Sequence, residues 1–219
     1  MLEVKQFVFN YFSENTFIVY DGATGQAIVI DPGMYHLAEC KMFDAFIEAN
    51  GLTIEMIVNT HMHLDHCFGD NYVHDKYNAK IAGHSDDANL GATLGAQTRQ
   101  FGIRLPDDGK DAVKIDIALN EGDIITVGAY SFSVIAVPGH SPGGIVLYCE
   151  KEKLAFVGDS VFYGSIGRTD LPGGDYDTLI ASLRTKILTL PDETQLLPGH
   201  DRYTTVAHEK ALNPYLRQH

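Results

Sequence analysis

The feature that most constrains this chain is Thr60-His61-Met62-His63-Leu64-Asp65-His66, where three histidines and one carboxylate crowd into six residues directly behind the apolar run Ile54-Glu55-Met56-Ile57-Val58-Asn59. That run is rich in β-branched and long apolar residues and reads as a buried strand. The cluster therefore sits where a strand gives way to a loop, the usual place for a site on a rigid scaffold. Imidazole and carboxylate together suit zinc, iron or manganese better than calcium, which prefers oxygen alone. Four ligands so close in sequence cannot all surround one small ion without strain. His61 and His63 can chelate one metal while Asp65 and His66 face a second. A solvated histidine-rich turn is the plainer alternative, and the ligand density argues against it.

Bulk properties narrow the class. A chain of 219 residues, 45% hydrophobic, can bury a sizeable core as one large or two small domains. We read residues 1–219 as a single domain, because no linker, short-period repeat or low-complexity tract interrupts them. No apolar run reaches spanning length and no basic-then-apolar leader opens the chain, so neither membrane nor secretion is expected. Cys40, Cys67 and Cys149 are odd in number and widely spaced, which favours a reducing cytoplasm over a disulfide framework. A net charge of −13 without any basic cluster argues against a nucleic-acid partner.

The N-terminal third reads as β-rich. Val4–Phe9, Thr16–Tyr20 and Ala27–Ile30 are short strands parted by the turn formers of residues 13–15 and 21–25, and Asp31-Pro32-Gly33 stops the third. Leu37–Ala49 carries one apolar helical face and is closed by Asn50-Gly51, after which Ile54–Val58 leads into the cluster. His66–Tyr77 is expected to be a short helix with Gly69 near its start, Lys80–Ala82 a strand and His84–Gly95 a helix. Ala96–Asp111 is expected to be a long loop near the site, a plain surface excursion being the alternative. Strands return at Ile115–Leu119, Ile124–Val127, Tyr130–Val137, Ile145–Cys149 and Leu154–Val157. A helix over Tyr176–Leu188, a strand over Gln195–Leu197 and a helix over Thr204–Leu212 close the pattern. Each half is a meander of strands followed by helix and strand, which predicts an α/β fold of two face-to-face sheets with helices outside.

Three later segments repeat the grammar of the first cluster, in which a strand ends, Gly or Pro turns the chain and a ligand type follows. They are Val137-Pro138-Gly139-His140-Ser141, Val157-Gly158-Asp159 and Leu197-Pro198-Gly199-His200. Alone, a Pro-Gly-His is ordinarily a turn with a solvated histidine. Taken with the first cluster, the segments supply five histidines and two aspartates, the number that two metals need. A carboxylate has two oxygens and is the natural bridge between cations, and Asp159 is the candidate in that position.

The order His-x-His-x-Asp-His, then Gly-His-Ser-Pro-Gly, then Gly-Asp, then Gly-His resembles the metallo-β-lactamase superfamily across essentially the whole chain. Asn15-Thr16-Phe17-Ile18-Val19 with Val29-Ile30-Asp31-Pro32-Gly33 resembles its glyoxalase II (hydroxyacylglutathione hydrolase) branch. Gly164-Ser165-Ile166-Gly167-Arg168-Thr169-Asp170 is similar to the small single-domain proteins of that branch. The resemblance implies an αββα sandwich with the site at one edge of the two sheets. It implies a first metal on His61, His63 and His140, a second on Asp65, His66 and His200, and Asp159 between them. Two divalent ions follow, zinc first, with iron or manganese as alternatives. Glyoxalase II carries a C-terminal helical domain with basic contacts to glutathione, whereas about twenty residues follow His200 here. That departure leaves the thiol carrier open.

Two cations sharing a solvent molecule lower its pKa towards neutrality, and Asp65 would orient that nucleophile. No general acid is evident. A thiolate leaves unaided, since thiols ionise near pH ~8.5, whereas an amide nitrogen must be protonated to depart. The resemblance and this chemistry favour hydrolysis of a small-molecule hydroxyacyl thioester, with lactone or other ester hydrolysis nearby. The alternative is a persulfide dioxygenase, which shares the ligand order and also a segment like Gly167-Arg168-Thr169-Asp170 but uses one iron; His61, His140 and Asp159 would hold it. A non-catalytic binding module has no need of seven ligands. Among the remaining candidates, His84 is expected to be structural or to support a ligand from behind. His36, His74, His208 and His219 read as surface histidines, and Cys67 as a small thiol packed under the site. Arg168 is expected to brace its loop as a buried partner of Asp170, the competing role being contact with a substrate carboxylate.

Overall fold

The computed structural model describes residues 1–107 and 109–217. The first half runs β1 (Leu2–Phe9), β2 (Glu14–Asp21), β3 (Gln26–Ile30), α1 (Leu37–Asn50), β4 (Thr53–Val58), α2 (Leu64–Cys67), α3 (Asp70–Tyr77), β5 (Lys80–His84), α4 (Ala88–Ala92), α5 (Leu94–Gln100) and β6 (Ile117–Leu119). The second runs β7 (Ile124–Val127), β8 (Tyr130–Ala136), β9 (Ile145–Cys149), β10 (Leu154–Gly158), β11 (Val161–Phe162), β12 (Ser165–Ile166), α6 (Tyr176–Ser182), β13 (Gln195–Pro198), β14 (Thr204–Thr205) and α7 (Val206–Leu212). One six-stranded sheet has the order β1-β2-β3-β4-β5-β6 and the other β14-β13-β10-β9-β8-β7. Both are mixed: β3 to β6 pair in parallel, as do β10 and β13, while the other neighbours are antiparallel. A parallel pair needs a crossover, and α1 supplies it between β3 and β4.

The central strands are apolar on both faces. Phe17, Val19, Ile28, Ile30 and Val58 of the first sheet meet Phe132, Val134, Leu147, Cys149 and Phe156 of the second in a core between the sheets. The alternate residues Ile18, Val29 and Ile57 point the other way, under Cys40, Phe43 and Ile47 of α1 and Val73 of α3. Val146, Ala155 and Val157 do the same under Leu179, Leu183, Ile187 and Val206. Burial on both faces is why Ala27–Ile30 and Ile145–Cys149 read as unbroken apolar runs rather than alternating ones. The result is the expected αββα layering. Phe17 and Phe156 meet edge to face across the seam at 5.1 Å, a contact that adds about 0.5–1.5 kcal/mol beyond area burial.

The departures from expectation lie in the connections. The expected helix over His66–Tyr77 is two helices, α2 and α3, broken at Phe68-Gly69. Gly69 N donates to Pro32 O at 2.6 Å, and a Cβ on Gly69 would meet that oxygen at 2.8 Å, so the chain passes against the end of β3 there. The helix expected over His84–Gly95 is a 3-10 turn at Ser85–Asp87, then α4, then α5. Helix α5 takes the first residues of the expected loop, and the irregular path begins at Phe101. Sequence periodicity misses α5 because its fixing contact is polar: buried Gln97 donates to Met62 O and Leu90 O and accepts from Leu64 N. The strand expected from Ile115 starts at Ile117, and helix α6 gives way to a π-turn at Leu183–Ile187. The closing helix starts at Val206, with the Thr205 hydroxyl capping His208 N. The β11–β12 hairpin, two residues per strand, is too short to register as a pattern.

Candidate metal centre

All four ligand segments leave their strands at the same edge of the sandwich. The chain after β4 is held by Asp31 at the end of β3, whose Oδ1 accepts from Thr60 N at 2.7 Å and whose Oδ2 accepts from Thr60 Oγ1 at 2.6 Å. Buried Asp87 ties that segment to the next: it accepts from Met62 N, from Ser141 Oγ at 2.7 Å and from Gly143 N at 2.6 Å. Asn15 holds the last, donating to Pro198 O and Asp201 O at 2.9 Å each. Gly199 is obligatory for close approach, since a Cβ there would meet Asp159 Oδ1 and His66 Cε1 at 2.4 Å.

The seven residues singled out in the sequence come together as two triads and a link. His63 Nδ1 lies 2.9 Å from His140 Nε2, which lies 3.2 Å from His61 Nε2. Asp65, His66 and His200 form the second group, with Asp65 Oδ2 3.2 Å from His200 Nε2 and 3.8 Å from His66 Nε2. Asp159 reaches both: its Oδ2 is 3.6 Å from His140 Nε2 and 3.5 Å from His200 Nε2, and its Oδ1 is 3.4 Å from His66 Nε2. Asp31 also converges with His61 and His66, but its oxygens are occupied by Thr60 and His66.

The outer ring nitrogens determine what the inner ones offer. His140 Nδ1 is 2.7 Å from Arg168 O and His200 Nδ1 is 3.0 Å from Phe12 O. A carbonyl oxygen can only accept, so both Nδ1 atoms carry a proton, which leaves Nε2 as the atom each ring can offer to a cation. Asp31 Oδ2, 3.0 Å from His66 Nδ1, does the same for His66. The Thr60 hydroxyl donates to Asp31 and so accepts from His61 Nδ1 at 3.1 Å. His61 and His140 thus bring the two Nε2 atoms they can offer to a cation within 3.2 Å of each other. His66 Nε2 and Asp159 Oδ1 are buried with no hydrogen-bond partner. Such an arrangement fits cations. Ligands at about 2.0–2.1 Å from a tetrahedral zinc stand about 3.3 Å apart, close to the nitrogen spacings found here.

The electrostatics agree. Burial, with His66 and His140 beside it, holds His61 well below the usual imidazole value, and burial with His140 takes His63 down to about 3. Burial also opposes charge on His66, but Asp159 and Asp65 outweigh it and carry His66 well above. His200 is likewise raised, burial being overcome by the Asp65 hydrogen bond and Asp159. Burial would raise Asp65 and Asp159, yet His66 and His200 hold both below the carboxylate range. The two carboxylates thus favour positive charge beside them, at the place that a cation would take.

Asp31 and Asp87 are the functional residues that sequence reasoning passed over. Asp31 had a signal, because strand, Asp31, Pro32, Gly33 follows the ligand grammar. Asp87 had none, since nothing in Ser85-Asp86-Asp87 marks one acid as buried. His84 is structural, its Nδ1 accepting from Asp86 N. His36, His74 and His208 are half-buried away from the triads, and the expectation for His219 falls outside the described residues. Cys67 is buried beneath the site, 3.9 Å from His61 O. Arg168 pairs with Asp170 through two bonds of 2.7 and 2.8 Å, as expected. Its burial is not as expected, for the side chains are 54% and 68% exposed. Water screens such a pair, which makes it a weak brace.

Over the triads opens a cavity of about 430 Å³. His63, Asp65, His140, Asp159 and His200 form its polar floor, and Phe12, Leu64, Phe101, Phe162, Ile166 and Leu171 its walls, with Arg168 also on the lining. Its size suits a small molecule.

Fold, ligand order and triads together define a class, and the sequence agrees: the family model of the metallo-β-lactamase superfamily matches residues 10–200, and the chain belongs to that superfamily. Within it the chain is 38% identical to the hydroxyacylglutathione hydrolase GloC of Haemophilus influenzae, over 94% of this chain and 93% of that one. Among solved structures, the BLEG-1 B3 metallo-β-lactamase superposes with a TM-score of 0.88 at 32% identity, covering 99% of this chain and all of the other. TTHA1623, solved in a di-iron-bound form, superposes with a TM-score of 0.85 at 32% identity, covering 97% of this chain and all of the other. The chain is thus a metallohydrolase-family enzyme with His and Asp groups placed to hold metal. No helix among the described residues is long and apolar enough to cross a membrane.

Proposed function

We propose that this protein is a binuclear metallohydrolase that cleaves hydroxyacyl thioesters. The observation that carries the reading is Asp159, whose single carboxylate stands within 3.6 Å of nitrogens from both triads. His61, His63 and His140 would hold one ion and Asp65, His66 and His200 the other, with Asp159 shared. Zinc suits the donor set, and iron or manganese also fits. When bound, such ions supply Lewis acidity and bring the pKa of water down to about 7. A relative named as a hydroxyacylglutathione hydrolase and a neighbour solved with two irons support the assignment.

The chain's own residues do the rest. Asp31, Arg168 O and Phe12 O keep the protons of His66, His140 and His200 on their outer nitrogens. Asp65 lines the cavity, where its carboxylate can accept a hydrogen bond from the attacking water and aim it. The apolar walls exclude bulk water and seat the substrate. Water oxygen bonds to the acyl carbon, the carbon–sulfur bond breaks, and a carboxylic acid and a thiol result. Among the described residues the lining offers no carboxylic acid or lysine outside the ligand groups to protonate a leaving atom. A thiolate needs no such help, whereas an unstrained amide does.

A persulfide dioxygenase shares the ligand order and would hold its one iron on His61, His140 and Asp159, so the discriminating quantities are the number of ions bound and the co-substrate consumed. The two readings part in one experiment. Zinc- and iron-loaded protein is assayed for hydroxyacyl thioester hydrolysis and for oxygen uptake on a thiol persulfide. Thioester cleavage without oxygen uptake is expected; oxygen uptake with no thioester cleavage in either metal form overturns the hydrolase.

A further inference from the structure

We infer that Asn10 is a positioning residue that locks the turn bearing Phe12 onto the backbone of Asp65, so that the cavity wall and the second ligand triad form one rigid piece. The inference deepens the binuclear thioesterase reading above and rests on it. The β1–β2 turn bends twice into left-handed backbone, at Asn10 with φ of 52° and at Ser13 with φ of 56°. Asn accepts that conformation more readily than most residues with a side chain. The bend carries Phe12 over the site, where its ring lines the cavity and its carbonyl oxygen accepts from His200 Nδ1 at 3.0 Å.

Asn10 fastens this turn with both polar atoms of its side chain. Its Nδ2 donates to Gly33 O at 2.9 Å and to Asp65 O at 3.0 Å, and its Oδ1 accepts from Phe12 N at 2.9 Å. The backbone N of Asn10 donates to Glu39 Oε1 at 2.8 Å, which ties the turn to α1 as well. The Asp65 end needs the support, because α2 has four residues and a helix that short cannot hold itself by its own hydrogen bonds. Gly33 marks how tightly the joint is packed: a Cβ there would meet Asp65 O at 2.6 Å and Asn10 Nδ2 at 2.7 Å, and would run into Glu14 Oε2. The turn thus touches the second triad at two ligands, His200 through Phe12 O and Asp65 through Asn10. Neither of these bonds goes to His61, His63 or His140. A substrate seated against Phe12 is therefore registered against the carboxylate that aims the attacking water.

Three variants test the joint. Asn10→Asp keeps an acceptor for Phe12 N and a residue that tolerates left-handed backbone, but turns a carboxylate on two carbonyl oxygens that had a donor. Gly33→Ala strains the same joint from the opposite side. Asp44→Asn is the control, since its carboxylate accepts from the Tyr72 and Tyr77 hydroxyls between α1 and α3, away from the cavity. Chelator competition gives the two metal affinities, urea unfolding of metal-free protein gives stability, and KM for a hydroxyacyl thioester is measured with metal in excess. Asn10→Asp and Gly33→Ala should each weaken the second ion about tenfold and the first by less than about twofold. With both sites filled, each should still raise KM about threefold, the size of one lost hydrogen bond, because Phe12 has moved with the turn. Asp44→Asn should lower stability and leave both affinities and KM unchanged. Equal loss at the two ions, a KM that returns to the wild-type value in excess metal, or variants that lose stability alone as the control does would each overturn the inference. Two bound ions in a wild-type protein that cleaves no thioester overturn the thioesterase reading alone, since the affinities still decide whether Asn10 holds the second site. A wild-type protein that binds a single ion overturns both.

Discussion

Replacing Asp31 by Asn tests whether the support behind the ligands is as important as the ligands. Asp31 has φ of 49°, a conformation that Asn adopts readily, so the backbone is not the issue. The carboxylate accepts three hydrogen bonds, from Thr60 N, Thr60 Oγ1 and His66 Nδ1. An amide has one oxygen. If that oxygen faces Thr60 N, the amide NH₂ faces the His66 Nδ1 proton; if it faces His66, the NH₂ meets the Thr60 N–H. Either way a buried donor confronts a donor, at about 1–3 kcal/mol. His66 can escape only by moving its proton to Nε2, the atom aimed at the second ion. Loss of such a support typically weakens metal binding about 10- to 100-fold, and the second ion should bear it. His61 touches Asp31 only through the Thr60 hydroxyl, so the first ion should be affected less. Chelator competition resolves the two affinities, and urea unfolding of metal-free protein measures the stability change. Unchanged affinity for both ions alongside a loss of stability would reduce Asp31 to a backbone brace and refute the argument.

Asp159→Ala should weaken both ions and His200→Ala mainly the second, as read by elemental analysis after dialysis; an Asp159→Ala protein that keeps both ions and full turnover rules out the shared ligand. Buried Glu209 accepts from Gly164 N, Thr204 Oγ1 and Asn213 Nδ2, and Asn213 also donates to Ser165 O, so α7 clamps the hairpin that carries Phe162 and Ile166 into the cavity. Glu209→Gln should therefore raise KM more than it lowers kcat and remove about 1–3 kcal/mol of stability; an unchanged KM argues against the clamp. On acidification the second triad should release its ion first. His66 and His200 are raised and take up protons at higher pH, whereas His61 and His63 are lowered, His63 to about 3. Each imidazole that must shed a proton costs about tenfold in affinity per pH unit below its pKa. Retained metal after dialysis from pH 8 down to pH 5 checks the order, and earlier release from the first triad contradicts it.

Residues 61–66 were legible because ligand density in six residues has no ordinary structural explanation, and His140, Asp159 and His200 because each repeats the same strand-then-turn placement. The strands were legible for a related reason: burial on both faces writes itself as an unbroken apolar run. What escaped is polar and buried. Gln97 holds α5 through three backbone hydrogen bonds, and Asp87 joins two ligand segments, yet in sequence each is one more polar residue near the surface of a helix or turn. Arg168 shows the reverse error. Its neighbours suggested a buried brace, but a pair two residues apart on an exposed loop can satisfy itself in water.

Neither triad is complete within one half of the chain. His61, His63, Asp65 and His66 belong to the first sheet's connections, whereas His140, Asp159 and His200 belong to the second's, and the exposed turn at residues 120–123 joins the two. A break in that turn would yield two fragments, each with half of the inter-sheet core and part of each metal site. Reassembly would bury Phe17 against Phe156 and close both triads at once, so divalent metal would act as the glue between the pieces. The same architecture offers a metal-gated switch, in which two separately expressed fragments report on the free ion concentration by regaining a hydrolytic activity that neither has alone.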